Sequence, residues 1–239
     1  MKRIVCALVL LTLVFTVFAG GAESAEQAEA EGAAVISFSS FSGGGYEYTV
    51  EAEDPSVLQC EIRYEFEPNA EELDGATYDC LVILKGTKAG STGITVRGRS
   101  PILENEDYIY TAEVDEDLKV TLTPVKKIST FFVYRNGEIY YDSYRICMEE
   151  NGYTVSVSDR KEKRFAAEDA EALMEVIEKY GIESWDGFSG SRKYVLDGEG
   201  FSLEIRFTDG TSVNARGDNA FPEHYIDAIG EIWEILEKY

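Results

Sequence analysis

The stretch from Leu58 to Phe66 constrains the fold most, because its apolar side chains alternate strictly with polar ones. Alternation with a period of two is typical of a β-strand that buries one face. A second run with one apolar face follows from Tyr78 to Leu84. Short runs of this kind, separated by glycine-containing turns, continue from Ala34 to about Val125. This pattern predicts an antiparallel β-sandwich over residues 34–126.

The pattern changes near residues 125–128, where we place a domain boundary. Asn136-Gly137 and Asn151-Gly152 are strong hairpin signals and predict a meander of three strands. Asp209-Gly210 predicts the turn of a further hairpin. The second part of the chain, residues 127–239, therefore contains at least five predicted strands.

Two segments of this second part have helical spacing instead. The first apolar stripe ends at Gly181, and the second helix is expected to start near Pro222. The stripes consist of Ala170, Leu173, Met174, Ile177 and Tyr180, and of Tyr225, Ile229, Ile232, Trp233 and Leu236. The order βββαββα predicts an α+β domain in which two helices pack on an antiparallel sheet. In the loop between them, Trp185 and Phe188 are expected to anchor in the core.

The first 22 residues have the layout of a secretory signal peptide. Lys2 and Arg3 precede an apolar run, and cleavage after Ala19 or after Ala22 fits the small residues that follow. An uncleaved anchor is the alternative, although the run is shorter than the roughly 20 residues of a spanning helix. Residues 23–33 are rich in Ala and Glu and predict a flexible acidic spacer. We expect a secreted or cell-surface protein that keeps no membrane segment after cleavage.

The charge of the chain limits its partners. It contains 22 Lys and Arg against 45 Asp and Glu, a net charge of -23. Such a chain repels phosphate backbones and anionic membrane surfaces. We therefore expect a protein partner and a monomeric chain, and no nucleic acid.

Three cysteines remain after the predicted cleavage, namely Cys60, Cys80 and Cys147. In an oxidising compartment Cys60 and Cys80 have the option of pairing, and the loop they close is worth about 3 kcal/mol. Both lie at inward strand positions, so two buried thiols are the alternative. Cys147 would then be a buried free thiol.

No arrangement typical of an enzyme is evident in the sequence. His224 is the only histidine, and no nucleophile motif or metal-ligand spacing accompanies it. The acidic runs "ENEDY" and "DEDLK" lack the pattern of a calcium loop and are expected to be solvated turns. Arg216-Gly217-Asp218 matches a tripeptide that integrins read, but a turn that leads towards a helix cap is expected there. We predict a protein that is not an enzyme and has no cofactor or metal.

The N-terminal part resembles the chagasin family, the Ig-like inhibitors of papain-like cysteine proteases. The stretches "GATYDCLVILKGTKAGSTGITVRGRSP" and "DEDLKVTL" carry the resemblance, and "SGGGYEY" occupies the place of the family's first contact loop. The likeness covers roughly residues 34–125 and does not extend to the C-terminal part. Ser100 separates the arginine and proline that adjoin in the family, and Ile102 stands where the family has tryptophan. The resemblance implies an Ig-like sandwich that contacts a protease through Gly44, Gly45, Tyr46, Gly75, Arg99, Ser100 and Pro101.

A physical reason for a binding loop stands beside the resemblance. Alternate connections of a sandwich emerge at one end, where rigid strands present them. Pro101 stiffens the third loop, and Arg99 supplies a planar donor fork that we expect to serve recognition. The competing interpretation is that Arg99 pairs with Glu104 or Glu106. The sequence thus predicts a reversible inhibitor of papain-like cysteine proteases, or alternatively a non-inhibitory interaction or scaffold module.

Overall fold

The structure of the protein is a computed structural model that describes residues 32–43, 45–66, 75–103, 105–137, 140–158, 161–192 and 198–239. The described chain is mostly β, with two α-helices and several antiparallel sheets. The predicted signal peptide and the acidic spacer up to residue 31 lie outside the described residues. Within the described ranges no helix is both long and apolar enough to cross a membrane.

The first seven strands form two sheets, with strand orders β1-β4-β3 and β2-β5-β6-β7. Their bounds are β1 Ala34–Phe41, β2 Glu47–Ala52, β3 Leu58–Phe66, β4 Thr77–Gly86, β5 Gly90–Arg99, β6 Glu106–Val114 and β7 Val120–Pro124. The two alternating segments of the sequence are β3 and β4, as predicted, whereas β2 was not predicted. Inward side chains of both sheets share one core, in which the rings of Phe38 and Tyr48 stack at 4.5 Å. The two sheets therefore pack face to face, and we refer to them as the paired sheets.

The register of β3 and β4 rules out a Cys60–Cys80 disulfide. Cys60 lies opposite Leu84 and Cys80 lies opposite Tyr64, so the cysteines are offset by four residues. At 3.3 Å per residue this offset separates their Cα atoms by about 13 Å, far beyond the 7 Å limit of a disulfide. Neither cysteine forms a disulfide, nor does Cys147, which is half-buried rather than buried.

The remaining strands form one sheet of seven, in the order β11-β10-β9-β8-β13-β14-β12. Their bounds are β8 Ile128–Gly137, β9 Tyr140–Glu149, β10 Gly152–Val157, β11 Lys163–Phe165, β12 Ser189–Ser191, β13 Gly200–Phe207 and β14 Ser212–Asp218. The short strands β11 and β12 were not predicted. β12 pairs with β14 in parallel, and every other pairing of the sheet is antiparallel.

Two helices cover one face of this sheet. They are α1, Ala167–Lys179, and α2, Tyr225–Leu236, with a short 3-10 helix, Ile182–Trp185, after α1. Their predicted stripes face the core for the most part, and Trp185 is buried while Phe188 packs against the same core. α2 begins three residues after Pro222, because His224 adopts a left-handed conformation just before it.

The hairpin turns differ in part from their prediction. Asn136 and Gly137 still belong to β8, opposite Tyr141 and Tyr140, so these two residues do not form the predicted turn. Gly152 has a positive φ but already pairs with Glu149, so the second turn consists of Glu150 and Asn151 and is shifted by one residue from the prediction. Asp209-Gly210 forms its predicted turn, in which Gly210 has a positive φ.

The segment 125–127 joins the paired sheets to the seven-stranded sheet and is held firmly in place. Thr208 is fully buried. Its hydroxyl accepts a hydrogen bond from the Lys127 amide at 2.9 Å and donates one to the Val125 carbonyl at 2.5 Å. The Thr208 carbonyl also accepts a hydrogen bond from the amide of Ile109 in β6, at 3.1 Å. One side chain and its backbone therefore fix the connection to both neighbours.

Candidate functional site

Three connections of the paired sheets leave from the same end. They are the connections from β1 to β2, from β3 to β4 and from β5 to β6. The strand register shows that β1, β3 and β5 end where β2, β4 and β6 begin. The amide of Ser42 donates to the Ala76 carbonyl at 2.8 Å, and the amide of Gly75 donates to the Ser42 hydroxyl at 3.0 Å. The described residues of these connections are 42–43, 45–46, 75–76, 100–103 and 105, which we name the loop end. Gly44, residues 67–74 and Glu104 lie outside the description.

Two glycines of the loop end are required by close approaches. A Cβ on Gly45 would lie 2.3 Å from the carbonyl oxygen of Phe41, a distance that no side chain tolerates. Gly75 has a φ of +81°, in the left-handed region that favours glycine. These two predicted site residues therefore shape the backbone of the loop end, whatever else they contact.

The side chain of Arg99 is bound within the protein. Its Nη1 donates to the carbonyl oxygens of Gly98 at 3.0 Å and Glu106 at 3.1 Å, and its Nη2 donates to Oδ1 of Asp107 at 2.9 Å. The Asp107 side chain is 5% exposed and that of Arg99 is 34% exposed. Arg99 therefore anchors the loop within the free protein, and its predicted contact with a partner stays a prediction. The competing interpretation was closer, with Asp107 and the Glu106 carbonyl in place of the Glu106 carboxylate.

The β5–β6 loop is built as a compact turn on this anchor. The hydroxyl of Ser100 accepts hydrogen bonds from the amides of Ile102 at 3.2 Å and Leu103 at 3.0 Å. Pro101 lies inside this turn and fixes one φ angle. Ile102 is 69% exposed and Leu103 is 40% exposed. Ser100 and Pro101 therefore hold two apolar side chains out towards solvent.

Aromatic side chains form the base under the loop end. Tyr78 donates its hydroxyl to the Tyr46 carbonyl at 3.1 Å, and the Tyr46 amide donates to the Ser40 hydroxyl at 2.7 Å. Burial, together with the nearby Glu106 carboxylate, raises the pKa of Tyr46 to about 12, while a hydrogen bond with Arg206 opposes that shift. Arg206 belongs to β13, so the base of the loop end also touches the seven-stranded sheet. Tyr46 is thus a packed anchor of the loop end.

The other residues considered from the sequence lie elsewhere. His224 is exposed, and its nearest carboxylate is Glu223 at 3.6 Å. Arg216-Gly217-Asp218 lies in β14 between β13 and β12, in extended conformation, and does not form a projecting loop. Within the described ranges no group of three or more His, Cys, Asp or Glu residues is placed to hold a metal ion. Asp115 lies in one of the acidic runs. Its carboxylate accepts hydrogen bonds from the amides of Asp117 and Lys119 and so stabilises a turn.

The loop end can bind a surface without covalent chemistry. Its third loop is ordered by internal bonds, so docking would freeze little additional conformational freedom. Its exposed tip is apolar, and the charged groups around it are satisfied within the fold. The sequence feature that could have predicted this tip is the apolar pair Ile102-Leu103 directly after the proline. No local sequence feature predicts the role of Asp107, because that role depends on strand register.

Comparison of the chain with models of protein families, with curated proteins and with solved structures gives no match. The geometry of the loop end is therefore the main evidence on function.

Proposed function

We propose that this chain is a secreted, non-enzymatic protein that binds a protein partner through its loop end. The observation that carries the proposal is the exposed apolar pair Ile102 and Leu103 on a loop pinned by Arg99 and Ser100. Exposing large apolar side chains on an ordered loop is unfavourable in water unless a partner covers them. Preorganised loops lose little entropy on binding, which favours affinity.

The partner class follows from the resemblance and from the shape. The described residues of three connections lie at one end of two facing sheets. A wedge-shaped surface there would suit a concave cleft such as that of a papain-like cysteine protease. The chain has Ile102 where the resembled family has tryptophan, so an aliphatic contact replaces an aromatic one. A non-inhibitory interaction module is the second candidate, and it is favoured by the internal hydrogen bonds of Arg99, which leave this side chain only partly exposed.

The division of the chain belongs to the same proposal. Residues 34–126 would form an Ig-like sandwich and residues 127–239 an α+β domain. Support comes from the sheet topology, since no strand pairing among the described residues joins strands before residue 125 to strands after 127. The leader-like residues 1–22 support secretion.

The non-enzymatic part of the proposal has its own support. His224 lies on the surface beside α2 with Glu223 and the ring of Tyr180 as neighbours. Neither neighbour is a Ser or Cys nucleophile for it to activate. Hydrolysis of a model substrate that a single Asp or Glu substitution abolishes would contradict this part.

The test measures inhibition of papain-like proteases by the chain and by an Ile102→Ser, Leu103→Ser double variant. Buried apolar anchors at interfaces are worth about 2 kcal/mol or more, so the double variant should inhibit at least tenfold more weakly. Stability should change by less than about 0.5 kcal/mol, because both side chains are solvent-exposed in the free protein.

The matched control is Ile226→Ser, which removes another exposed isoleucine, 81% exposed, on α2. This variant should inhibit as well as the parent chain. If the parent chain leaves every papain-like protease active at high micromolar concentration, the inhibitor assignment fails and the interaction module remains. Equal effects of the loop and control variants would refute the role of the loop end itself.

A further inference from the structure

The seven-stranded sheet leaves one face without helices. Residues that alternate with the buried core positions point away from α1 and α2, and we name them the open face. Register aligns Arg145, Phe132, Glu204 and Asn214 in one row across four strands. The next row contains Thr130, Arg206 and Ser212. Other described members include four short hydroxyl side chains, Ser143, Thr154, Ser156 and Ser202, together with Tyr134, Asn136 and Cys147.

The charge of the open face is opposite to that of the chain. Four arginines lie on it, namely Arg145, Arg164, Arg206 and Arg216. Its described strand carboxylates are Glu204 near the centre and, at opposite ends, Glu149 and Asp218. In a chain with twice as many acidic as basic residues, this excess of arginine is a local feature that favours an anionic ligand.

A pocket of about 170 Å³ lies in the middle of the open face. Two arginines, Arg145 and Arg206, line the pocket. Its other lining residues are Thr130, Phe132, Glu204, Ile205, Ser212 and Asn214. The guanidinium of Arg145 stacks over the ring of Phe132 at 4.9 Å, which fixes its plane. A guanidinium has five N–H donors, so its internal contacts do not exhaust its capacity to bind a carboxylate.

The carboxylate of Glu204 restricts which anions can bind in this pocket. A carboxylate only accepts hydrogen bonds, so a densely charged anion such as a phosphate would be repelled by it. A ligand that carries both carboxylates and hydroxyl groups satisfies the arginines and Glu204 together. The surrounding hydroxyl and amide side chains can donate to or accept from such hydroxyls.

We propose that the open face binds an acidic polysaccharide, one uronic acid unit occupying the pocket between Arg145 and Arg206. The carboxylate of that unit would accept from the two guanidinium groups, and a ring hydroxyl would donate to Glu204. Neighbouring units would extend along the hydroxyl side chains towards Arg216. This surface is distinct from the exposed tip of the loop end, although Arg206 also hydrogen-bonds with Tyr46 at the base of the loop end.

The test is isothermal titration calorimetry of the full chain with an oligogalacturonate of about ten units. Arg145→Gln and Arg216→Gln should each weaken binding, Arg145→Gln by about tenfold, since each charge-assisted contact contributes about that factor. Arg63→Gln is the matched control, because Arg63 lies on β3 and pairs with Glu61 at 3.0 Å. It should bind within twofold of the parent chain.

Three outcomes would overturn the proposal. The first is no binding of the oligogalacturonate to the parent chain. The second is equal binding of poly-glutamate, which would point to an acidic peptide, or of the fully methyl-esterified oligomer, which lacks the charge. The third is an equal loss in the Arg63→Gln control. Circular dichroism identifies a variant that fails to fold, and Arg216→Gln then decides in place of Arg145→Gln.

Discussion

Replacement of Arg99 by methionine should destabilise the protein more than replacement of its partner Asp107 by asparagine. Arg99 makes three hydrogen bonds, two to the carbonyls of Gly98 and Glu106 and one to Asp107. Methionine keeps much of the side-chain volume and removes all three donors. Asparagine keeps an acceptor oxygen at position 107 and leaves the two carbonyl bonds of Arg99 in place.

The loss in free energy of unfolding depends on which of the two charged side chains is left buried without its partner. Asp107 is 5% exposed, so Arg99→Met leaves a carboxylate without its charged partner and largely without water. Breaking a fully buried pair in this way costs 3–5 kcal/mol, and the one-third exposure of Arg99 lowers the expected cost to about 2 kcal/mol. In Asp107→Asn, Arg99 remains accessible to water, and we expect about 0.5–1 kcal/mol.

The assay is urea unfolding followed by circular dichroism, with the free energy taken from the midpoint at constant slope. If Arg99 served recognition alone, Arg99→Met would be as stable as the parent chain. That result, or a larger loss in Asp107→Asn than in Arg99→Met, would refute the anchoring role. The double variant should lose less than the sum of the two single losses, because the groups are in contact.

Two further predictions concern the seven-stranded sheet and its connection. Hydrogen bonds from Lys238 and Tyr239 lower the pKa of Asp169. The contribution of Asp169 to stability is therefore present above pH about 4 and is lost as the pH falls below that value. In urea titrations, Asp169→Asn should be less stable than the parent chain at pH 7 and equal to it near pH 2. Thr208→Val should cost about 2 kcal/mol and accelerate hydrogen exchange at the Lys127 amide, and unchanged exchange there would contradict the junction described above.

Local periodicity predicted the elements that local interactions decide. Alternation from Leu58 to Phe66 predicted β3, and the two apolar stripes predicted both helices, because burial of one face fixes the period within each segment. The Asp209-Gly210 turn was predicted correctly because glycine accepts the positive φ that such a turn requires. β11 and β12 have three residues each and exist because a neighbouring strand offers free backbone groups, which no local pattern records.

Strand register was the information that the sequence could not supply. Two cysteines on adjacent strands looked suited to pairing, yet an offset of four residues keeps Cys60 and Cys80 apart. The Asn136-Gly137 turn was misplaced because β8 continues through both residues. Register depends on the packing of the whole sheet. A shift of two residues keeps the alternation of apolar and polar residues within a strand but changes every cross-strand partner.

The same reasoning explains why the candidate site moved by a few residues. Arg99 has the chemistry of a recognition group. In the free protein, however, a charged side chain that reaches a buried carboxylate is stabilised more by that contact than by exposure to water. Ile102 and Leu103 have no special chemistry, and their position is what distinguishes them. A single exposed isoleucine such as Ile226 on a helix is ordinary, since folded proteins expose much apolar surface. The adjacent exposed side chains of Ile102 and Leu103, on a loop held by Arg99 and Ser100, support the proposal that this surface contacts a partner.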